Sequence, residues 1–284
     1  MMPFSLFQLL NGLTFAALLF IVASGFTLIF GLMRIVNLAH GAFYLLGGYI
    51  AYVSATWADS FVIGILVAVV CIALLGWFEQ MILKLVKGVE LHQVLLSLGL
   101  ALMINDSSLV IFGGDTFSIP IPEFLKGPMP LLGMFYPKYR LFVLLCGIVV
   151  FIFLWLLINR TKLGALIRAG VDDSETIEAL GIDIKKIFVF TFMLGMALAG
   201  VAGALGGAFL SLYPTADSEI LVYSLAIVII GGRGSLPGAA IGSLAVAMLA
   251  TFGQVLFPEL SYFVIFGPMA LLLAFRPTGL FGRA

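Results

Sequence analysis

Polar residues beside two breaks in otherwise apolar sequence are the first candidates for chemistry. One break, residues 31–41, contains Asn37 and His40, and the other, residues 231–238, is rich in glycine and contains Ser235. A broken helix leaves backbone N–H and C=O groups unpaired, and these groups can hold a zwitterionic solute. The substrate-pathway hypothesis therefore takes in Asn37, His40, Gly41, Tyr44, Gly231, Gly232, Arg233, Gly234 and Ser235.

The same residues also have a purely structural interpretation. Asn37 and His40 can cap and satisfy the broken backbone, and Arg233 can anchor the chain at the cytoplasmic membrane surface. Each break carries one Arg and leads into a Gly-rich apolar helix. An internal repeat is therefore a further hypothesis.

Few residues in the sequence could act in catalysis or bind a metal. His40, His92, Cys71 and Cys146 are far apart in sequence, whereas a metal site needs several clustered donors. Neither a carboxylate pair nor a Ser/His pair stands out, so we expect no catalytic residue, no metal and no cofactor in this chain. A G-x-x-x-x-G-K-[ST] motif, which would cradle nucleotide phosphates, is missing from the sequence.

Two carboxylates, Glu79 and Asp106, lie in or near apolar runs. Carboxylates inside a membrane can relay protons. Placement at the two membrane surfaces explains both residues more simply, and that is our expectation.

The composition requires a membrane environment for these residues. Of the 284 residues, 63% are hydrophobic and 10% are charged, and the net charge is zero. Soluble domains are about 45–50% apolar and about 25% charged, so this chain has too few charges to coat a soluble globule. We predict an all-α polytopic membrane protein, one transmembrane domain over 1–284, with about 8–10 transmembrane segments that include discontinuous helices.

Apolar runs predict the helices that position the polar residues. The run 7–30 is long enough to cross a bilayer, and no Lys or Arg precedes Arg34. A signal peptide would begin with positive charge, so we read this run as a retained helix. The other runs are 38–56, 61–83, 92–112, 141–158, 187–210, 222–256 with its break at 231–238, and 261–275.

Positive charges in short loops predict the orientation. The loop 113–140 is placed outside, together with the N-terminus, and the piece 222–231 is too short to cross and is expected to be a partly inserted, broken helix. The clusters placed in the cytoplasm are Lys84 with Lys87, then Arg160, Lys162, Arg168, Lys185 and Lys186, and finally Arg276 with Arg283.

The cytoplasmic segment at about 160–186 is the candidate for coupling to another protein. Asp172 or Asp173 can cap a helix, and Glu175 then falls near the first turn, where acidic side chains favour the helix dipole. Gly181 is expected to end this helix.

The predicted coupling helix has one small apolar face. Ile177 and Leu180 are expected on that face with the small residue Ala179 beside them, which suits docking in a partner's groove. A solvated loop helix is the alternative. The coupling hypothesis covers Arg168, Ala169, Asp172, Asp173, Glu175, Ala179, Leu180, Gly181 and Ile182.

Five motifs in order resemble the LivH-type permeases of branched-chain amino acid ABC importers, and the resemblance covers nearly the whole chain. They are NLAHGAFY at 37–44 for the family's N-(F/L)-A-H-G signature, RA at 168–169 with ALGI at 179–182 for its cytoplasmic coupling segment, AGVAGAL at 199–205 for its small-residue helix, GGRGSLPGA at 231–239 for its GGxGSxxGA loop, and RPTGLFG at 276–282 for its ending.

The resemblance implies a function and a set of partners. The chain would be a multi-pass permease subunit in the bacterial inner membrane that moves branched-chain or other hydrophobic amino acids. A second related permease of the LivM type, two ABC ATPase subunits that bind ATP and magnesium, and a periplasmic substrate-binding protein would complete the importer. Nucleic acid is not expected as a partner.

Two other functions stay open at this point. The same type of importer also handles urea, short amides or aromatic acids. A stand-alone secondary transporter is the alternative from another class, and it would need ion-coupling groups near the middle of the membrane.

Overall fold

The computed structural model describes residues 2–33, 37–86, 89–131, 133–172, 174–232, 234–256, 258–276 and 279–281. The structure is almost entirely helical, which confirms the predicted all-α class. The helices are α1 Met2–Met33, α2 His40–Ala58, α3 Phe61–Leu83, α4 Glu90–Phe112, α5 Lys138–Arg160, α6 Lys162–Asp172, α7 Ser174–Ala179, α8 Ile184–Phe209, α9 Ala216–Gly231, α10 Leu236–Leu256 and α11 Ser261–Phe275.

Six helices in the described ranges are long and apolar enough to cross a membrane, namely α1, α3, α4, α5, α8 and α10. The helices α2, α9 and α11 have 19, 16 and 15 residues. The prediction of about 8–10 transmembrane segments included these three helices. Length and composition establish only the six as candidates to cross a membrane.

The helix α1 lies at the centre of the bundle. Of its most apolar stretch, 78% is buried within the protein, compared with 17% for α4 and for α5. Small residues on α8 allow the central helices to approach closely, as in other membrane bundles. A Cβ on Gly25 of α1 would lie 2.3 Å from the carbonyl oxygen of Gly195, and one on Gly203 would lie 2.0 Å from that of Tyr44.

A short antiparallel hairpin covers one end of the bundle and was not predicted. The strands β1 Pro128–Leu131 and β2 Met134–Pro137 pair with Met129 opposite Tyr136. The Tyr136 hydroxyl lies 3.1 Å from Thr14 Oγ1 and donates to Asn11 Oδ1 at 3.2 Å. The hairpin is therefore tied to the beginning of α1.

Two helices differ from what the apolar runs predicted. The helix α9 begins at Ala216, six residues before the predicted start at 222, because its first turn carries the polar residues Asp217 and Glu219. Acidic residues interrupt an apolar run, but they stabilise the beginning of a helix because they lie near the positive end of its dipole. The helix α6 was not predicted at all.

Candidate substrate pathway and coupling segment

The break between α1 and α2 is held together by the side chain of Asn37, which is completely buried. Its Oδ1 accepts a hydrogen bond from the backbone N–H of Ala39 at 2.9 Å, and its Nδ2 donates to Glu79 Oε2 at 3.1 Å. The N–H of Leu38 donates to Ser97 Oγ at 3.1 Å. The break is thus capped locally, as the structural interpretation expected, and is also tied to α3 and α4.

Glu79 is enclosed by the protein, and its expected position at the membrane surface stays a prediction. The side chain is 1% exposed and lies inside the protein beside Gln80, which is equally buried. Its Oε2 accepts from Asn37, but Oε1 of Glu79 and Oε1 of Gln80 have no hydrogen-bond partner among the described residues. The sequence could not reveal this arrangement because it depends on a contact across 42 residues. Asp106, by contrast, is exposed.

We expect the Asn37–Glu79 pair to contribute measurably to stability. Leaving one buried partner of a hydrogen bond unsatisfied costs about 1–3 kcal/mol, so Asn37→Leu and Glu79→Met should each lower the unfolding midpoint of the detergent-purified protein. The double variant should be more stable than the sum of the single effects, because neither partner is then left buried and unpaired. Additive effects in this double-mutant cycle would contradict a direct interaction.

His40, Gly41 and Tyr44 follow on the first turns of α2, all of them buried. His40 Nε2 donates to the carbonyl oxygen of Val22 at 3.1 Å, so its ring also forms a hydrogen bond with the backbone of α1. A Cβ on Gly41 would lie 2.2 Å from the carbonyl oxygen of Asp217, so α2 and α9 touch where both begin.

The second break is also capped by its own residues. Ser235 Oγ accepts from the N–H of Gly238 at 3.1 Å at the beginning of α10. Gly232 and Gly234 have φ values of 95° and 73°, which favour glycine. The N–H groups of Leu280 and Phe281 donate to the carbonyl oxygens of Ile230 and Gly231, so these two residues hold the beginning of this break in place. Arg233 lies outside the described residues.

Among the described residues, the two breaks approach each other at Gly31 and Gly234. A Cβ on Gly31 would lie 2.4 Å from the Cα of Gly234. His40, however, is hydrogen-bonded to the carbonyl oxygen of Val22. Val22 lies nine residues before Gly31 on α1, which is about 13 Å along a helix. The proposed pathway residues therefore form two groups at different depths, one around Asn37, His40 and Tyr44 and the other around 231–235.

The coupling segment is a compact pair of helices. In α6, Thr161 Oγ1 accepts from the N–H of Gly164 at 3.0 Å, and Arg168 Nη1 donates to the carbonyl oxygen of Ile158 at the end of α5. Ile167 of α6 packs with Ile184 and Ile187 of α8 in a small apolar cluster of its own. Ala169 is half-buried on the same helix.

The predicted helix is α7, and its end is as expected. Gly181 has a φ of 82°, its N–H donates to the carbonyl oxygen of Glu178 at 2.9 Å, and the N–H of Ile182 donates to that of Ile177 at 3.3 Å. This is the Schellman pattern that ends a helix at glycine. Asp173 and the side chains of Asp172 and Glu175 lie outside the described residues.

The predicted apolar face of this helix is wrong in one respect. Ile177 and Ile182 pack against the small cluster, whereas Leu180 is 71% exposed. The reason is that α7 ends at Ala179, so Leu180 lies in the turn and points away. The exposed surface thus consists of Ala179, Leu180 and Gly181.

Charged side chains next to this segment stabilise the beginning of α8. Asp183 caps α8 by accepting from the N–H of Lys186 at 3.4 Å, and its carboxylate lies 3.2 Å from Lys186 Nζ. The side-chain hydrogen bond from Lys186 lowers the pKa of Asp183 below its usual value. Asp183 therefore stays ionised near neutral pH and supports the positive end of the helix dipole.

Comparison with known proteins decides the family. The family described as the permease component of branched-chain amino acid transport systems matches residues 8–273. The chain belongs to this family of permeases. The permease is 29% identical to the high-affinity branched-chain amino acid transport system permease protein BraD of Pseudomonas aeruginosa, over 97% of this chain and 95% of the relative.

Other relatives are similar over comparable lengths. The LivH permease protein of Salmonella typhimurium is 24% identical, over 97% of this chain and 95% of its own length. The probable LivH permease protein of Methanocaldococcus jannaschii is 27% identical, over 84% of this chain and 78% of its own length. No solved structure gives a significant match. The resemblance seen in the five motifs is thus confirmed over nearly the whole chain.

Proposed function

We propose that this permease is one of two membrane subunits of an ABC importer for branched-chain or other hydrophobic amino acids in the bacterial inner membrane. The observation that carries the proposal is the family match over residues 8–273, together with near full-length relatives named for branched-chain amino acid transport. The six long apolar helices supply the membrane-spanning part.

The proposal assigns ATP hydrolysis to other chains. Two ABC ATPase subunits would bind ATP and magnesium, a periplasmic binding protein would deliver the amino acid, and a second related permease would complete the pathway. A LivM permease protein of Methanocaldococcus jannaschii is 26% identical over 49% of this chain, so a second permease of this kind is a related protein. The exposed surface at 179–181 is where an ATPase groove would contact α7.

In this mechanism the two breaks serve as pivots of the pathway. Gly31 and Gly234 have no side chains between them, so α1 and α10 can shift where they touch. The hydrogen bonds of Asn37 and Ser235 hold the ends of α2 and α10 in place. Movement of α6 and α7 would reach the pathway through α8, against which both α1 and α2 are packed.

A pull-down tests the proposal. The tagged chain is extracted from its native membrane in mild detergent, and the proteins that accompany it are measured by mass spectrometry. Two ATPase subunits and a second permease in near-equal amounts are expected. Recovery of the chain alone, also after crosslinking, would overturn the importer and favour a secondary transporter, for which the buried carboxylate Glu79 is the observation of interest.

A further inference from the structure

A cavity of about 180 Å³ lies where α2, α4 and the beginning of α9 meet. Pockets for drug-sized ligands have volumes of roughly 300–1,000 Å³, so this cavity suits a smaller solute. The lining residues include the apolar Leu45 and Leu109 and the acidic Asp106 and Asp217. The cavity thus combines apolar and acidic residues.

Asp217 is the unusual residue in this cavity. It is 5% exposed, and its Oδ2 accepts hydrogen bonds from Asn105 Nδ2 at 2.5 Å and from Ser218 Oγ at 3.3 Å. Its Oδ1 is buried and has no hydrogen-bond partner among the described residues. One oxygen is therefore held by the protein, and the other is enclosed without a partner among the described residues.

A positively charged donor would suit this oxygen best. Burial of a carboxylate without a partner is costly, and hydrogen bonds to a carboxylate are stronger when the donor is charged. The residues that line the cavity include no Lys, Arg or His, while Asp106 adds a second carboxylate. The positive charge then has to arrive with the solute, and a primary ammonium group fits the small volume.

We propose that this cavity binds the ammonium group of a hydrophobic amino acid during translocation, with Asp217 Oδ1 as the acceptor and Asp106 as a second carboxylate. The aliphatic side chain of the solute lies against Leu45 and Leu109. This assignment rests on the proposed function and narrows it, because urea and short amides offer Asp217 only neutral N–H donors, and aromatic acids without an ammonium group offer it no cation.

Uptake of radiolabelled leucine by the complete importer tests the role of Asp217. Asp217→Asn keeps the size and the bond to Asn105 but removes the charge, and it should lower uptake at saturating leucine at least about tenfold. The matched control is Glu219→Gln in the same helical turn. Glu219 is exposed, accepts from the Tyr213 hydroxyl at 2.9 Å and does not line the cavity, so uptake should stay within about twofold of wild type.

A labelling experiment on the purified complex tests binding itself. Thr215 is exposed, lines the cavity and has no part in the proposed binding. It is replaced by cysteine (Thr215→Cys) after Cys71 and Cys146 have been replaced by alanine, and its reaction with N-ethylmaleimide is followed. Leucine should slow the reaction, whereas 4-methylpentanoate, which has the same side chain and no ammonium group, should not. Equal protection by both compounds, or by neither, would overturn the proposal.

The outcomes separate this proposal from the proposed function. Normal leucine uptake by wild type and by Asp217→Asn, with equal amounts of assembled complex, would overturn the ammonium subsite and leave the importer standing. Recovery of the chain without ATPase partners would overturn the importer, and selective protection by leucine would then support the subsite on its own.

Discussion

Gly203→Val is expected to remove most of the folded protein from the membrane. A Cβ at this position would lie 2.0 Å from the carbonyl oxygen of Tyr44 and 2.8 Å from the N–H nitrogen of Gly48. Both contacts are with backbone, so no side chain can turn aside and α2 would have to separate from α8. Overpacking of a well-packed core costs about 1–3 kcal/mol and sometimes more, and a backbone contact belongs at the upper end.

The measurement is the amount of monodisperse protein recovered in mild detergent. A cost of about 3 kcal/mol is a large part of the total stability of a protein, so recovery should fall severalfold or more. The control is Gly99→Val on α4, where a Cβ would meet no atom within 4 Å. Equal recovery of both variants would contradict the close approach of α2 and α8.

The apolar runs were sufficient to predict the long helices. The helix α3 at Phe61–Leu83 coincides with its predicted run, and α11 at Ser261–Phe275 does as well. A membrane helix satisfies its own backbone, so its position follows from local composition alone. The structure at the ends of helices depends instead on polar residues, which explains why the polar beginning of α9 was missed.

The candidate sites were predictable only in part for a related reason. The capping role of Asn37 is local, and the sequence indicated it. The capping role of Ser235 is equally local, although Ser235 was named only as a pathway residue. The partners Glu79 for Asn37 and Asn105 for Asp217 are 42 and 112 residues away. Such contacts depend on how the helices pack, so the acidic cavity at Asp217 could not be read from spacing.

The coupling segment provides the second large prediction. Ala179→Arg should abolish leucine uptake while the protein remains in the membrane in normal amounts. Ala179 is exposed at the end of α7, so a large cationic side chain disturbs none of the apolar cluster around Ile167. It would, however, prevent a partner groove from closing over the surface at 179–181, because burial of an unpaired charge is costly.

Three measurements together identify the cause of the lost uptake. Ala179→Arg should keep the unfolding midpoint of the wild type but should lose the ATPase subunits from a pull-down. The matched control is Ala165→Arg, which introduces the same side chain at an exposed alanine of α6 outside the predicted contact residues. If Ala179→Arg kept both uptake and its ATPase subunits, the docking role of α7 would be refuted. If both variants lost the subunits, the contact would extend over α6 as well, and the docking surface would have to be drawn around the whole helical pair.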